Sequence, residues 1–246
     1  MIEVISLEDV KDLSLSIKND RYTYNGVTVP RVTEIIHKMI SEESIIQWAN
    51  SLGFKHKSYT KTLNEAAVYG PKAHYALECL LKGKPVPPDS PTSIIDSFNQ
   101  WWGTINSNNK VEIIGQEQKL ACQYFGGTYD LLLRINGKVY LVDFKTSNHV
   151  TYKYNLQLAA YKYMLNLSGV QVDGMIILQL SKSTPGYNEY VLDFSNPEHL
   201  EFINLCERCF MSLVYGYYHI DYLGRKFNDY FGRKSIKEKN DDKGKQ

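Results

Sequence analysis

Gly126-Gly127-Thr128-Tyr129-Asp130-Leu131-Leu132-Leu133-Arg134-Ile135-Asn136-Gly137-Lys138-Val139-Tyr140-Leu141-Val142-Asp143-Phe144-Lys145-Thr146 is the stretch from which the rest of the chain is read. Two apolar runs flank Asn136-Gly137, a dipeptide suited to the two positive-φ positions of a type I′ hairpin loop. Counting outward from that loop pairs Ile135 with Lys138, Leu133 with Tyr140, Leu131 with Val142 and Asp130 with Asp143. Directly opposed residues sit roughly 4.5–5.5 Å apart at Cβ, where like charges repel. Lys145 projects from the same strand face as Asp143, because side chains alternate with period two. The hairpin therefore gathers two carboxylates and an ammonium at one end of an apolar ribbon. A β-bulge at Gly126-Gly127 would shift the register on that side.

Two readings fit this trio. In one, Lys145 neutralises the acids in a solvated cluster at a strand end. In the other, the carboxylates share a hard divalent cation and the lysine acts on a water or phosphate beside it. The neighbours Leu131, Leu133, Leu141, Val142 and Phe144 indicate a buried sheet, where unpaired acids cost most. That favours the cation.

At 246 residues the chain can bury a full core as one large domain without disulfides. We expect a single domain over 1–224, with a helical N-terminal part at 29–62, a core at about 63–195 and a C-terminal helix at 197–217. Residues 225–246 hold eight Lys/Arg against four Asp/Glu and read as a charged, disordered tail. With a net charge of +1 overall, the remainder carries about −3. Such a balance is not the footprint of a strongly basic nucleic-acid binder; any nucleic-acid contact must be local and helped by a metal. The start Met-Ile-Glu-Val lacks a signal-peptide pattern, and no apolar run approaches the ~18 residues of a membrane span. A cytoplasmic protein with no membrane partner is expected.

Along the chain, Tyr24-Asn25-Gly26-Val27 reads as a small hairpin and Thr33 as the start of a helix. A second helix should follow Ser41, burying Ile45, Ile46, Trp48 and Ala49. Lys55 to Lys61, with His56, Tyr59 and Thr60, reads as a polar loop, either an ordinary connection or a phosphate contact. The helical run 63–82 should break near Gly70-Pro71, and beyond it His74 and Glu78 share a face. Residues 83–92 form a proline-rich connector, and Ile94 to Trp102 a helix whose tryptophan pair suits the core better than base stacking. Val111 to Cys122 is a strand carrying Glu117. Tyr152 to Leu167 is an amphipathic helix with Gln157 and Tyr161 on one face. Strands Asp173–Leu180 and Glu189–Phe194 follow, then a helix to about Tyr217. Cys206 and Cys209 make a CxxC inside that apolar helical run, with no second pair to complete a metal site.

The order helix–strand–strand–strand–helix–strand carries Asp130, Asp143-Phe144-Lys145-Thr146 and Gln157-Leu-Ala-Ala-Tyr161 in sequence. It resembles the PD-(D/E)XK nuclease superfamily, and within it the RecB-like branch of phage and bacterial exonucleases, Cas4 and the mitochondrial genome maintenance exonuclease. Val29-Pro30-Arg31-Val32-Thr33, Gly70-x-x-x-His74-x-x-x-Glu78, Glu117-x-x-Leu120 and Gly127-x-x-Asp130 add to the likeness, which spans about residues 22–195. The resemblance implies an α/β, restriction-endonuclease-like core with a central mixed sheet flanked by helices (αβββαβ). It implies a metal-dependent DNA exonuclease of phage or bacterial recombination, repair or replication. The alternatives are a structure-selective endonuclease or a catalytically silent module that binds nucleic acid or protein. By the same resemblance His74, Asp130, Asp143 and the Phe144 carbonyl would ligate Mg²⁺ or Mn²⁺. Lys145 would act on the attacking water, Gln157 and Tyr161 would position Lys145 or the DNA, and Thr146 would touch substrate. Glu117 or Glu78 would serve a second metal or a water network. The partner would be DNA, single-stranded or with a free end, together with replication or recombination proteins. No cysteine lies upstream of His74, so the branch's iron–sulfur cluster is not expected.

Overall fold

The computed structural model describes residues 21–40, 54 and 58–231. The expected helix after Ser41, His56 of the polar loop, and residues 232–246 of the expected tail lie outside the described residues. Two short strands, β1 (Tyr22–Tyr24) and β2 (Val27–Val29), precede helices α1 (Val32–Met39), α2 (Tyr59–Leu81) and α3 (Thr92–Asn108). Strands β3 (Val111–Ala121), β4 (Gly126–Ile135) and β5 (Lys138–Lys145) lead to helix α4 (Tyr152–Leu167). Strands β6 (Gly174–Leu180) and β7 (Tyr187–Asp193) and helix α5 (Pro197–Phe231) complete the chain.

The hairpin register predicted from Asn136-Gly137 is observed from Ile135–Lys138 through Leu133–Tyr140 to Leu131–Val142, but the expected Asp130–Asp143 pair does not form, because the ladder ends before it. Asn136 and Gly137 both take positive φ (51° and 89°), as a type I′ loop requires. Around this hairpin a five-stranded sheet forms in the order β3-β4-β5-β6-β7. β5 and β6 run parallel, joined through α4; the other pairs are antiparallel. The sheet is mixed and the architecture α/β, as expected, with β7 added at one edge.

Period-two alternation divides the core between the two sheet faces. Leu131, Leu133, Val142, Phe144, Ile176 and Leu178 pack with Ala73 and Leu77 of α2 and Ile94, Phe98 and Trp101 of α3. Leu132, Leu141, Met175 and Ile177 pack instead with α1, α4 and α5 through residues such as Ile35, Leu156, Ala160 and Phe210. Trp101 is fully buried, so the tryptophan pair belongs to this core, with Trp102 stacked on Phe98. The N-terminal segment joins the sheet where Gly126 donates its N–H to the Pro30 carbonyl.

Two further expectations are corrected. α2 does not break at Gly70-Pro71 but runs through from Tyr59 to Leu81, taking in Tyr59 and Thr60 of the expected loop. Ala73, Ala76 and Leu77 are buried just past the proline, and this packing outweighs the hydrogen bond that Pro71 removes. α5 likewise continues beyond Tyr217 to Phe231, so 225–231 are helical rather than part of a disordered tail. At the expected end of the helix, Tyr217 donates its hydroxyl to Glu34 and Lys38 lies over its ring; the turns beyond it are largely exposed.

Candidate active site

The charged residues sit where the β4–β5 ladder ends. Beyond the Leu131–Val142 pair the two backbones no longer pair. The Phe144 N–H instead donates to Asp130 Oδ2 at 2.6 Å, so a side chain takes the place of a backbone acceptor. β5 stays fixed on its other side by β6, to which it pairs as far as Lys145–Gln179. β3 is distorted at the same level. Its register slips by one residue between Ile113 and Gly115, and Glu117, beside Asp130, adopts a positive φ of 47°. A non-glycine residue in that region inside a strand is strained, and such strain collects at functional sites.

Two clusters result. In the first, Nδ1 of His74, from α2, lies 3.3 Å from Asp130 Oδ1 and 3.8 Å from Glu117 Oε1. The three offer ligand atoms all within 4.8 Å of one another. In the second, the Lys145 ammonium pairs with Asp143 Oδ2 at 2.6 Å. The other Asp143 oxygen, Oδ1, is buried without a hydrogen-bond donor among the described residues. Lys145 also donates to Gln157 Oε1 at 3.2 Å, and Gln157 Nε2 donates to the Tyr161 hydroxyl at 3.1 Å. Tyr161 lies on the bare backbone of Gly127, where a Cβ would meet its ring at 2.5 Å. The glycine of Gly127-x-x-Asp130 therefore lets α4 come close enough to hold the lysine.

The clusters share one electric field. The Asp130 charge lifts the His74 imidazole to about 10, against the opposing effect of burial. Burial pushes Asp130 up, but His74, Lys145 and the Phe144 N–H outweigh it and the net shift is downward. Burial raises the Asp143 carboxyl to about 6, with Lys145 opposing and Asp130 adding to the rise. Burial pulls Lys145 down, but Asp143 and Asp130 more than reverse this. Burial also raises Glu117. A divalent cation suits the first cluster: it would neutralise its clustered acids and displace the proton from His74.

The structure thus brings His74, Glu117, Asp130, Asp143, Lys145, Gln157 and Tyr161 into one contiguous site. It groups Glu117 with His74 and Asp130, and pairs Asp143 with Lys145. The Phe144 ring packs in the core against Phe98 and His74. Thr146 lines a neighbouring cleft instead. Glu78 holds Lys82 on α2, while its charge reaches Glu117. Tyr154 was missed from sequence: Lys145 lies 4.6 Å over its ring. The spacing Tyr154-x-x-Gln157 was the available signal, since residues three apart share a helix face. Cys79, Cys122, Cys206 and Cys209 are all free thiols.

No curated protein matches the chain in sequence. A solved structure described as "Crystal structure of SSO0001" is similar over 83% of this chain and 82% of its own, with 15% identity and a TM-score of 0.38. The PD-(D/E)XK nuclease superfamily matches residues 61–210, which hold the mixed sheet, the Asp130 and Asp143-x-Lys145 strands and the Gln157–Tyr161 helix. On that match, over more than half its length, the chain belongs to the PD-(D/E)XK nuclease superfamily.

Proposed function

We propose that the chain is a divalent-metal-dependent DNA exonuclease, acting on strands with a free end in the cytoplasm of a bacterial or phage-infected cell. The observation that carries the reading is the crowding of charge: His74, Glu117 and Asp130 converge within ligand distance of one another beside a buried Asp143–Lys145 pair. Buried acids so clustered are costly without a cation to share. The intact lysine and acids also count against a catalytically silent module.

His74, Asp130 and Asp143, with the Phe144 carbonyl, would hold Mg²⁺ or Mn²⁺, and Glu117 lies close enough to His74 and Asp130 to join them. The oxygen-rich set suits both ions, and the imidazole makes manganese especially acceptable. When bound, the cation supplies Lewis-acid polarisation of a phosphoryl oxygen. Lys145 remains an ammonium at neutral pH, given its upward shift. It therefore orients the attacking water by donation and stabilises charge developing on the phosphoryl oxygens. Gln157, backed by Tyr161, fixes Lys145 in that orientation. Exonuclease rather than endonuclease is the reading that the RecB-like motifs favour.

The test uses end-labelled linear DNA and circular DNA, single- and double-stranded, with Mg²⁺, Mn²⁺ or EDTA. Linear substrates should shorten from their ends with metal and persist in EDTA, while circles survive. Cut circles would make the protein an endonuclease. No cleavage of any substrate with either metal would leave the silent binding module.

A further inference from the structure

A trough of about 650 Å³ opens directly beside the candidate site and has no role in the mechanism above. It starts at Thr146, the residue after Lys145, and runs along the ends of β5 and β6 to the β6–β7 turn. Gln179 on its floor is the β6 partner of Lys145. Its near wall is tied to the site through Tyr154, whose ring faces Lys145 and whose hydroxyl donates to Ser147 at 2.8 Å.

The chemistry of the lining is one-sided. Among the described residues no aspartate or glutamate lines the trough, and its charged residue is Lys182. Gln179 is occupied in bracing the floor, donating to the Ser147 carbonyl and accepting from Asn188. The hydroxyls of Thr146, Ser183 and Thr184 and the amide of Asn148 have no partner among the described residues. Lys182 lies over the Tyr69 ring. Unengaged hydroxyls, an amide and an ammonium are the groups that contact phosphate and sugar in nucleic-acid complexes. The candidate site beside it, by contrast, holds Glu117, Asp130 and Asp143. A polyanionic strand reaching that cluster must run along a surface free of carboxylates, and this trough is such a surface next to Lys145.

We infer that the trough from Thr146 to Asn188 is the track that binds the sugar–phosphate backbone of the strand being cut, with Lys182 as its phosphate contact. The inference rests on the nuclease reading and adds to it a place for the substrate beyond the scissile bond. Contacts of this kind position a strand without reading its sequence.

The test measures binding of a labelled single-stranded oligonucleotide by fluorescence anisotropy in EDTA across a series of KCl concentrations. Michaelis constants for cleavage are measured in parallel. Lys182→Glu is compared with Lys84→Glu, an exposed site outside the trough. Lys182→Glu should weaken binding about fivefold at moderate salt and lower the log–log salt slope by about 0.7–1, the share of one phosphate contact. Its KM should rise in step, while Lys84→Glu matches the wild type. If Lys182→Glu and Lys84→Glu bind alike, the track is wrong, although wild-type cleavage would keep the nuclease reading. If the wild type cleaves nothing but Lys182→Glu still loses affinity and slope, the track stands and the catalytic reading falls. A wild type that neither binds nor cuts DNA overturns both.

Discussion

Two lysine–carboxylate pairs meet in the interior of this protein, and they are built differently. Lys162 on α4 donates to Glu207 on α5 at 2.8 Å, a formed hydrogen bond that ties two helices on one side of the sheet. Lys145 pairs with Asp143 at 2.6 Å, but Asp143 Oδ1 has no donor among the described residues and Asp130 adds a second negative charge to the same field. The first pair is balanced within the protein and the second stands among excess acid. Burying charge is tolerated when it is paired and hydrogen-bonded; an incomplete pair beside further acids marks a site arranged for something from outside. The same two residue types are thus structural in one place and chemical in the other.

The largest effect that can break this contrast is on cleavage. Lys145→Ala should reduce the single-turnover rate on labelled linear DNA by roughly 10²–10³, the loss typical of one preorganised charge-stabilising donor. Glu207→Ala, assayed well below its melting temperature, should cut at the wild-type rate. Equal rates for the two variants would erase the distinction.

A smaller effect concerns folding. Glu207→Ala strands the buried Lys162 and should cost about 1–3 kcal/mol in urea unfolding, as for other buried groups left without a partner. That penalty should be the same with or without Mn²⁺, because the pair lies outside the proposed metal site. A Mn²⁺-dependent penalty would place Glu207 in the wrong class.

An effect of similar size to the last is expected in pH dependence. Asp143 has a folded-state pKa raised to about 6, above the ordinary 3.8. Its contribution to stability is therefore fully present below about pH 4 and is lost as pH rises through 6. In EDTA, the wild type should lose stability relative to Asp143→Asn between pH 4 and 7, on the order of 1–3 kcal/mol. Thermal melts across that range check it; parallel curves would show that Asp143 titrates normally.

Much of this was legible in the sequence, for reasons that are local. Asn136-Gly137 sets a register by turn geometry alone, and counting from it placed Leu131 opposite Val142. The apolar alternation along β4 and β5, and the spacing of Gln157 and Tyr161 on α4, are likewise properties of short segments. What the sequence withheld depends on distant partners. Glu117 faces His74 on a strand whose register slips between Ile113 and Gly115 and which turns to positive φ at Glu117; Gly115 hints at a bulge, but not at which distant helix the acid meets. Pro71 inside α2 runs against a local signal, and packing of Ala73, Ala76 and Leu77 decides it. That Asp143 lies deep enough to lift its pKa follows from the layers of helices over it, not from its neighbours in the chain.

The central claim, that these acids and His74 hold a divalent cation, is tested most directly by calorimetric titration of the metal-free protein with Mn²⁺ near pH 8 in two buffers of different ionisation enthalpy. His74 carries a proton up to about pH 10 in the metal-free protein, so a metal that uses its imidazole must release that proton on binding. Wild type should show saturable binding with release of about one proton. Asp130→Asn should abolish most of the binding, and Glu207→Ala should leave it unchanged. Binding by Asp130→Asn equal to wild type, or no saturable binding by the wild type, would contradict the account.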